Sequence, residues 1–311
     1  MFSKNQSKDS IALVLVTYNR SVLLSEALIS ISNMTCLPNA IFIIDNKSTD
    51  DTACVVDLFI KEHPWMNVEY YNTGYNAGGA GGFRIGCKLA WDAGYEYIWL
   101  ADDDIEVDKY CLEKAFPHLC PDTIIQPMRF NISDNTCAEI SAVVYDLKNP
   151  FYLRPKRKTV ADIYSSEVPE YEILSIPFEG PIVHRSVFDK IGFPEEAFFI
   201  FNDDLDFALK ATANNISIKC ITASKIYRKI PFTQSVALKT WKGYFMFRNY
   251  FRIQKIYGVK PFIYIRIFSV FTIALLHCIL RLDFSGAVML IDAFNDGMSK
   301  TFQLNKKYLP N

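Results

Sequence analysis

The chain has 311 residues, of which 50% are hydrophobic and 22% are charged, and this balance excludes a wholly disordered protein. Its net charge of -1 conceals a strong asymmetry. Residues 1–206 contain 17 Lys and Arg against 31 Asp and Glu, whereas residues 207–311 contain 16 against 3. We therefore expect the basic C-terminal third to face an anionic surface, either a membrane or a nucleic acid.

The eight cysteines lie apart from one another, without a CxxC pair or a Cys/His cluster. This spacing argues against a zinc site and against a disulfide scaffold. The polar N-terminal segment MFSKNQSKDS lacks the apolar core of a signal peptide, and we therefore expect a cytosolic location.

Strands alternate with helices over the first hundred residues. Continuous apolar runs rich in β-branched residues are typical of buried parallel strands, and apolar residues three or four apart predict helices. This alternation predicts an α/β fold with a mostly parallel, Rossmann-like sheet that is covered by helices on both faces. Ligands bind such sheets beyond the carboxyl ends of the strands. The predicted strands are 11–16, 40–45, 68–72 and 95–100, and the predicted helices are 21–32, a segment through Val55, Val56 and Phe59, and a segment near 83–93.

The middle of the chain is less regular. Residues 148–172 are rich in Pro, Lys and Glu and are expected to form an exposed excursion. Its basic run 154–158 favours a solvated loop over a nucleic-acid site. Short strands are predicted near 173–184, and a helical pattern begins after the apolar run 198–201.

The composition changes at residue 241 to Trp, Tyr, Phe, Ile, Arg and Lys, which divides the chain into a domain over 1–240 and a helical region over 241–311. The 19 residues 262–280 are apolar except at four positions, one of which is Arg266. A run of this length could span a bilayer, but a central arginine costs about 2.5–3.5 kcal/mol. The run therefore favours a helix that lies in the membrane interface, or packs inside the protein, over one that crosses the membrane.

Three consecutive aspartates, Asp102, Asp103 and Asp104, follow the predicted strand 95–100. Carboxylates in one small volume repel one another, and a hard divalent cation such as Mg²⁺ or Mn²⁺ relieves the repulsion and can hold a diphosphate. The alternative is a solvated acidic turn that caps the next helix. The position at a strand end favours the metal site.

The segment 76–83 contains four glycines within five residues, Gly78, Gly79, Gly81 and Gly82. Missing Cβ atoms let a ligand approach the backbone, and the N-terminus of the following helix attracts an anion such as pyrophosphate. The pattern matches neither GxGxxG nor GxxxxGK, which argues against hydride transfer and against a P-loop. A flexible turn is the alternative, although four glycines would make it entropically costly.

Asp203 and Asp204 stand where the helical pattern after residues 198–201 begins. The helix dipole stabilises an ionised carboxylate at this position, which suits a general base. The alternative is a plain N-cap.

The order of the motifs resembles that of the family 2 inverting glycosyltransferases with the GT-A fold. Within this family, the glycine segment and the late aromatic segment are most similar to bacterial galactofuranosyltransferases and their rhamnosyltransferase relatives. The motifs are VTYNR (16–20), DNKSTD (45–50), NAGGAGGF (76–83), DDD (102–104), IPFEG (176–180), FFIFNDDLDF (198–207) and WKGYFMFRN (241–249).

The resemblance implies a nucleotide-diphospho-sugar donor, a divalent cation and single-displacement transfer to a glycan hydroxyl. It implies that Asp204 is the catalytic base and that Asp102 and Asp104 bind ribose, metal or diphosphate. We expect Asp102 and Asp104 to hold the metal. Acceptor contacts are expected at Asp203 and Trp241. Donor contacts are expected at Thr17, Asn19, Arg20, Asp45, Asn76, Gly78, Gly79, Gly81, Gly82, Arg84, Asp102, Asp103 and Arg228.

The chain departs from the family at two of these positions. Arg84 directly follows the phenylalanine of the glycine segment, whereas the family has its arginine two places after it. Arg228 stands where the family often has a histidine that completes the metal site. Metal ligation is then expected to rest on the aspartates and water, or Arg228 itself takes up diphosphate charge.

Taken together, these features predict a metal-dependent inverting glycosyltransferase that acts on a lipid-linked cell-surface glycan such as a capsule or O-antigen. Galactofuranose from UDP-galactofuranose is the favoured donor sugar, and rhamnose from dTDP-rhamnose is the alternative. We expect peripheral contact with the inner face of the bacterial membrane, because the long apolar run within the basic tail favours lipid over nucleic acid. A non-catalytic nucleotide-sugar-binding subunit is the alternative from another class, and the oligomeric state stays open.

Overall fold

A computed structural model describes residues 10–230 and 238–310. The strands are β1 (Ile11–Thr17), β2 (Ala40–Asp45), β3 (Val68–Asn72), β4 (Tyr97–Asp102), β5 (Ile105–Val107), β6 (Thr123–Asn131), β7 (Ala142–Tyr145), β8 (Lys156–Thr159), β9 (Glu170–Glu172), β10 (Ile182–His184) and β11 (Ser217–Arg228). The α-helices are α1 (Ser21–Ser32), α2 (Thr52–Glu62), α3 (Gly78–Asp92), α4 (Cys111–Ala115), α5 (Arg185–Ile191), α6 (Asp203–Ala213), α7 (Lys242–Tyr257), α8 (Ile263–Leu280) and α9 (Phe284–Met298).

Nine of the described strands form one mostly parallel sheet. Their order is β3-β2-β1-β4-β10-β6-β11-β5, and β9 lies beside the first part of β11. β1 to β4 are parallel to one another, and β6 is parallel to β11. β10 runs antiparallel between β4 and β6. The carboxyl ends of the parallel strands and the start of β10 therefore lie along the same edge.

Helices cover both faces of this sheet, because its central strands are apolar on both sides. In β1, Ala12 and Val14 belong to one buried cluster, and Leu13 and Leu15 belong to the other. Each fully buried aliphatic side chain of this size contributes about 1.5–3 kcal/mol. The predicted α/β architecture with a doubly covered sheet is confirmed.

Several predicted boundaries are wrong. Strand β4 begins at Tyr97 rather than residue 95 and continues to Asp102, while residues 173–181 are not a strand. Helix α3 begins at Gly78 rather than near residue 83. These shifts place the aspartates at the very end of a strand and the glycines inside a helix.

The excursion predicted for residues 148–172 is exposed only in part. β8 pairs with β7 in a separate antiparallel hairpin, and β9 joins the main sheet beside β11. Val160 and Tyr171 are buried in the core. Pairing and burial therefore draw this polar segment back onto the sheet.

The C-terminal helices pack against the rest of the chain. Phe199 forms a buried cluster with Tyr244 and Phe245 of α7 and Ala293 of α9. Helix α8 has 18 residues and a mean hydropathy of 2.1, and among the described residues it is the one helix long and apolar enough to cross a membrane. Only 17% of it is buried.

Candidate functional site

The ends of β1 and β4 are joined by a cluster of charged and polar side chains. Thr17 Oγ1 donates a hydrogen bond to Asp103 Oδ2 at 2.7 Å. Arg20 Nη1 donates to Asp103 Oδ1 at 2.9 Å and to Asp104 Oδ2 at 3.0 Å. Asp103 is buried, and the element that follows Asp104 is strand β5. The alternative of a solvated acidic turn that caps a helix is therefore wrong.

Asp45, at the end of β2, is held in a fixed orientation. Its carboxylate accepts hydrogen bonds from Tyr70 Oη at 2.6 Å and from Asn72 Nδ2 at 3.1 Å, and its Oδ1 accepts from the Ser48 amide at 2.8 Å. Asn19 lies in the adjacent loop, where its Oδ1 accepts from the Thr49 amide at 2.7 Å. The structure thus brings these predicted nucleotide contacts to the same sheet edge as Thr17, and their binding role stays a prediction.

Asp102 and Asp104 have the electrostatic character of a cation site. Burial raises the pKa of Asp102 well above its usual range, and repulsion from Asp104 and Glu179 adds to this effect. Burial likewise raises the pKa of Asp104. Hard carboxylate oxygens that repel one another fit Mg²⁺ or Mn²⁺. No group of three or more His, Cys, Asp or Glu that could hold a metal occurs among the described residues, so such a cation would need further oxygens from a diphosphate and water.

Arg228, at the end of β11, is part of a chain of alternating charges. Its Nε donates to Glu179 Oε2 at 2.8 Å, and Arg129 Nη1 donates to the same oxygen at 2.7 Å. Arg129 is fully buried and also forms two 3.0 Å hydrogen bonds with Glu139. Burial opposes ionisation of Glu179, but the two arginines hold its pKa below the usual range.

Sequence reasoning missed the central members of this network. Glu179 belongs to the IPFEG motif, which is one of the motifs that resemble the family, but no function was predicted for this residue. Arg129 stands in β6, whose burial pattern is otherwise that of a core strand. An arginine in an apolar strand signals a buried ion pair, since an isolated buried charge is very unfavourable.

Asp203 and Asp204 form the first turn of α6. Asp204 Oδ1 accepts from the Leu205 amide at 2.7 Å, and the N-cap residue is Asn202, which makes no side-chain cap hydrogen bond. Neither aspartate is therefore a plain N-cap. Burial raises the pKa of Asp203 well above its usual range, with repulsion from Asp204 second. Reduced hydration raises the pKa of Asp204 to about 6, so this carboxylate is ionised at neutral pH and can accept a proton.

Lys156, in the hairpin strand β8, acts on Asp204 and was not predicted. Its Nζ donates to the carbonyl of Ile140 at 3.0 Å. After reduced hydration and the Leu205 amide, its positive charge is the next influence on the pKa of Asp204, and it acts to lower that pKa. The basic run expected to be a solvated loop therefore contributes one cation to the site.

The four predicted donor-binding glycines divide into two groups. A Cβ at Gly78 would lie 2.2 Å from the carbonyl oxygen of Phe199, and the φ of Gly78 is +70°. A Cβ at Gly81 would lie 2.7 Å from Cβ of Ala77, and one at Gly82 would lie 2.6 Å from Cγ1 of Val16. These three glycines thus allow close packing within the protein. By contrast, a Cβ at Gly79 would have no described atom beyond its own helix within 4 Å.

The remaining predicted residues are placed as follows. Asn76 Oδ1 accepts from the Gly78 amide at 2.9 Å, which shapes the start of α3. Arg84 Nη1 donates to the carbonyl of Pro194 at 3.1 Å. The ring of Trp241 packs against Phe199 at a centroid distance of 6.1 Å. Trp241 is therefore next to the segment that precedes Asp204, while Arg84 supports the loop ahead of that segment.

The part of the chain that forms this sheet edge matches a known family. Residues 12–165 match the family described as Glycosyl transferase family 2. The chain carries a family 2 glycosyltransferase domain. The family match covers β1 to β4 and the aspartates at the end of β4.

Two curated relatives and one solved structure agree with this assignment. The glycosyltransferase is 24% identical over 229 residues to galactofuranosyltransferase GlfT1 of Mycolicibacterium smegmatis, with 70% of each chain covered. It is 26% identical over 211 residues to the protein of that name from Mycobacterium tuberculosis, where 64% of this chain and 63% of the relative are covered. The crystal structure of GalNAc-T7 with UDP, GalNAc and Mn²⁺ superimposes with a TM-score of 0.59 at 13% identity, covering 81% of this chain and 52% of the other.

These matches cover about two thirds of the curated relatives and about half of the solved structure. The glycosyltransferase spans 63–70% of the length of these two relatives. The structural likeness, at 13% identity, establishes the GT-A fold. The predicted fold, family and enzyme class are confirmed.

Proposed function

We propose that the glycosyltransferase transfers galactofuranose from UDP-galactofuranose to a hydroxyl group of a lipid-linked cell-surface glycan. The relatives named galactofuranosyltransferase support the sugar, and the UDP complex of the structural neighbour supports the nucleotide class. Transfer would take place at the inner face of the bacterial membrane, with the apolar helix α8 in peripheral contact with lipid.

The main structural support for the proposal is the position of Glu179 relative to the aspartates. The carboxylate of Glu179 acts electrostatically on Asp102, Asp104 and Asp204 alike. The aspartates at the strand end and the aspartate at the helix start therefore all lie within electrostatic reach of one glutamate. We expect a site of this kind to receive the diphosphate near Asp102 and Asp104 and the acceptor hydroxyl near Asp204.

The residues would act in a single displacement. Asp204 accepts the proton of the acceptor hydroxyl, whose oxygen forms a bond to the anomeric carbon as the bond from that carbon to the diphosphate oxygen breaks. Arg20 and Arg228 stand at the strand ends, where they can stabilise negative charge on the departing nucleoside diphosphate. Asp102 and Asp104 would hold a divalent cation, which supplies further charge stabilisation to the diphosphate.

The donor side would be formed by the ends of β1 and β2. Thr17 and Asp45 are fixed by their hydrogen bonds to Asp103 and Tyr70, so they are oriented before a nucleotide arrives. Gly79 is the glycine of α3 at which a Cβ would meet open space beyond the helix, so we expect the donor to approach the helix here. The acceptor side would lie near Asp203 and Trp241.

A donor screen with the purified full chain tests the proposal. UDP-galactofuranose and dTDP-rhamnose are each incubated with Mg²⁺ or Mn²⁺, and release of UDP or dTDP is measured, with Asp204→Asn as the control. Release of UDP that the control lacks is the expected result. Release of dTDP instead would assign a rhamnosyltransferase, and donor binding without any release would identify a non-catalytic subunit.

A further inference from the structure

The turn that leads into α6 has an unusual backbone. Phe199, Phe201 and Asn202 have φ values of +63°, +66° and +63°. Asparagine tolerates this left-handed region, but for a bulky residue such as phenylalanine it is a genuine outlier. A turn of this kind persists only when its surroundings over-determine it.

Asn249, on α7, makes the contacts that fix this turn. Its Nδ2 lies 3.0 Å from the carbonyl oxygen of Phe198 and 2.8 Å from those of Ile200 and Phe201, and it donates toward all three. Asn249 is fully buried, so these carbonyls have lost their access to water on that side. Without the amide they would be left unsatisfied, which is unfavourable for any buried polar group.

Arg248 sets the orientation of that amide. Its Nη1 donates to Asn249 Oδ1 at 2.9 Å and to the carbonyl of Ala197 at 2.9 Å. Because the arginine occupies the amide oxygen, the amide nitrogen must face the turn. The pair Arg248–Asn249 therefore donates hydrogen bonds to four backbone carbonyls of one segment, those of residues 197, 198, 200 and 201.

This turn, residues 198–202, also fixes the start of α6. The carbonyl of Asn202 accepts from the Asp206 amide at 2.9 Å, which is the first hydrogen bond of the helix. The Phe199 carbonyl accepts from the Ala80 amide at 3.1 Å, which ties the turn to α3 as well. A change in the turn would therefore move the first residues of α6, among them Asp204.

We propose that Asn249 is a positioning residue for glycosyl transfer, which holds the turn 198–202 and so places the carboxylate of Asp204. The inference rests on the proposed role of Asp204 as the base. Asn249 does not touch the substrate, and it acts through the backbone it holds.

The test compares Asn249→Ala with Tyr250→Phe in the full chain. Tyr250 is the next residue on the same helix, and its hydroxyl donates to the carbonyl of Leu153 at 3.1 Å, away from the turn. We expect Asn249→Ala to lower kcat by about 100-fold, because small displacements of reacting groups have effects of this size, while the KM for the donor changes by less than about threefold. The acidic limb of the pH–rate profile should move to lower pH, since a displaced carboxylate becomes better hydrated. The control should match the wild type.

Hydrogen exchange gives a second readout that needs no activity. Amides of residues 199–203 should exchange faster in Asn249→Ala than in the wild type, while those of β1 and β2 should not change. If Asn249→Ala does not fold, Asn249→Asp keeps the volume and the contact with Arg248 but removes the donors, and its kcat and exchange rates carry the same test. Unchanged kcat and pH limb in a folded variant would overturn the proposal. Loss of folding in both variants would overturn it as well, because Asn249 would then support the whole chain.

The two readouts separate this inference from the proposed function. If the wild type releases no nucleotide from any donor, the proposed function fails, and the exchange rates still report on the turn. If the wild type is active and the exchange rates do not change, only the role of Asn249 fails.

Discussion

Arg266 donates from Nη1 to Oε1 of Gln254 at 2.8 Å, and its side chain is fully buried. Its Nη2 donates to the carbonyls of Asp146, at 2.9 Å, and Asn149. The arginine in the apolar helix α8 therefore faces the protein rather than lipid. The insertion cost expected for a central arginine therefore does not apply, and the exposed residues of α8 are apolar except Thr272 and His277.

The exposed surface of α8 leads to a prediction about lipid binding. We expect the full chain to float with vesicles that contain anionic lipid, with only partial release at high salt, because each nearby basic residue contributes roughly 1 kcal/mol that salt screens whereas apolar burial is not screened. Leu276 is 52% exposed on α8, and Leu58 is 56% exposed on α2. Leu276→Glu should weaken binding at high salt by about tenfold or more, since it removes a leucine worth about 1.5–3 kcal/mol of burial.

Leu58→Glu provides the control for the same experiment, because it adds the same charge at a similarly exposed position. Equal flotation of the two variants at high salt, or no flotation of the wild type, would contradict a lipid contact through α8. Resistance to carbonate extraction would instead identify a helix that spans the membrane.

The second prediction concerns the base. Asp204→Asn should lower transfer by about 10²–10⁴-fold, because the amide keeps the shape of the side chain but cannot accept a proton. Donor affinity should stay within a few-fold of the wild type by calorimetry. If the variant keeps wild-type turnover, the base is not Asp204, and Asp203 becomes the candidate.

The pH dependence of the reaction should reflect the pKa of about 6 at Asp204. The base acts when it is ionised, so kcat/KM should rise with pH through about 6 and level off above it. Lys156→Met removes a charge that lowers this pKa, and the rise should therefore move to higher pH. Lys158→Met, on the same exposed strand, should leave the profile in place. A profile that does not respond to Lys156→Met would show that Asp204 is not the group that titrates.

The fourth prediction concerns the cation. Asp104→Ala should weaken donor binding in the presence of Mg²⁺ or Mn²⁺, because the diphosphate then lacks an ion that relieves its repulsion from the remaining carboxylates. Titration calorimetry with UDP, with and without the metal, measures the effect. Equal affinity of the wild type with and without metal would contradict a metal-assisted donor site and would leave Arg228 as the main partner of the diphosphate.

The glycines of α3 allow a matched comparison. A Cβ at Gly82 would lie 2.6 Å from Cγ1 of Val16, whereas a Cβ at Gly79 would stand in open space relative to the described residues beyond its helix. Gly82→Ala should therefore lower the melting temperature. Gly79→Ala should be neutral or stabilising by up to about 1 kcal/mol, since alanine favours a helix over glycine. If Gly79→Ala nevertheless weakens UDP binding, the open backbone at this position contacts the donor, and unchanged binding would remove Gly79 from the donor site.

Strands β1, β2 and β4 could be predicted from the sequence because they are buried on both faces. A continuous apolar run such as 11–16 has few other interpretations when a helical pattern follows it. The polar residues that end these strands, such as Asp45 and Asp103, could then be placed at one edge, since parallel strands end on the same side. The fold class and the position of this polar edge follow from local pattern, whereas the donor-binding role expected of it comes from the family resemblance.

The rest of the site depends on contacts between distant parts of the chain. The buried charge of Arg129 is neutralised by Glu139 and Glu179, and Glu179 lies 50 positions away in the sequence. The backbone of Phe199 and Phe201 contradicts the extended conformation that an apolar aromatic run favours, because Asn249 and α3 impose the turn. Such tertiary constraints leave no periodic pattern in the sequence.

The hydrogen bond from Arg248 Nη2 to the carbonyl of Gln303, at 2.8 Å, links the turn before Asp204 to a residue near the end of the chain. It therefore bears on the order in which parts of the structure form during synthesis. Synthesis releases the N-terminal part first, and this part contains β1 to β4 and the edge at Asp103. The turn before Asp204 cannot be completed until α7 has emerged, and Arg248 gains its last partner only with residue 303. A growing chain on the ribosome therefore acquires the polar edge at Asp103 early and the turn before Asp204 late. With the roles proposed above, we expect it to be able to hold a donor before it can consume one.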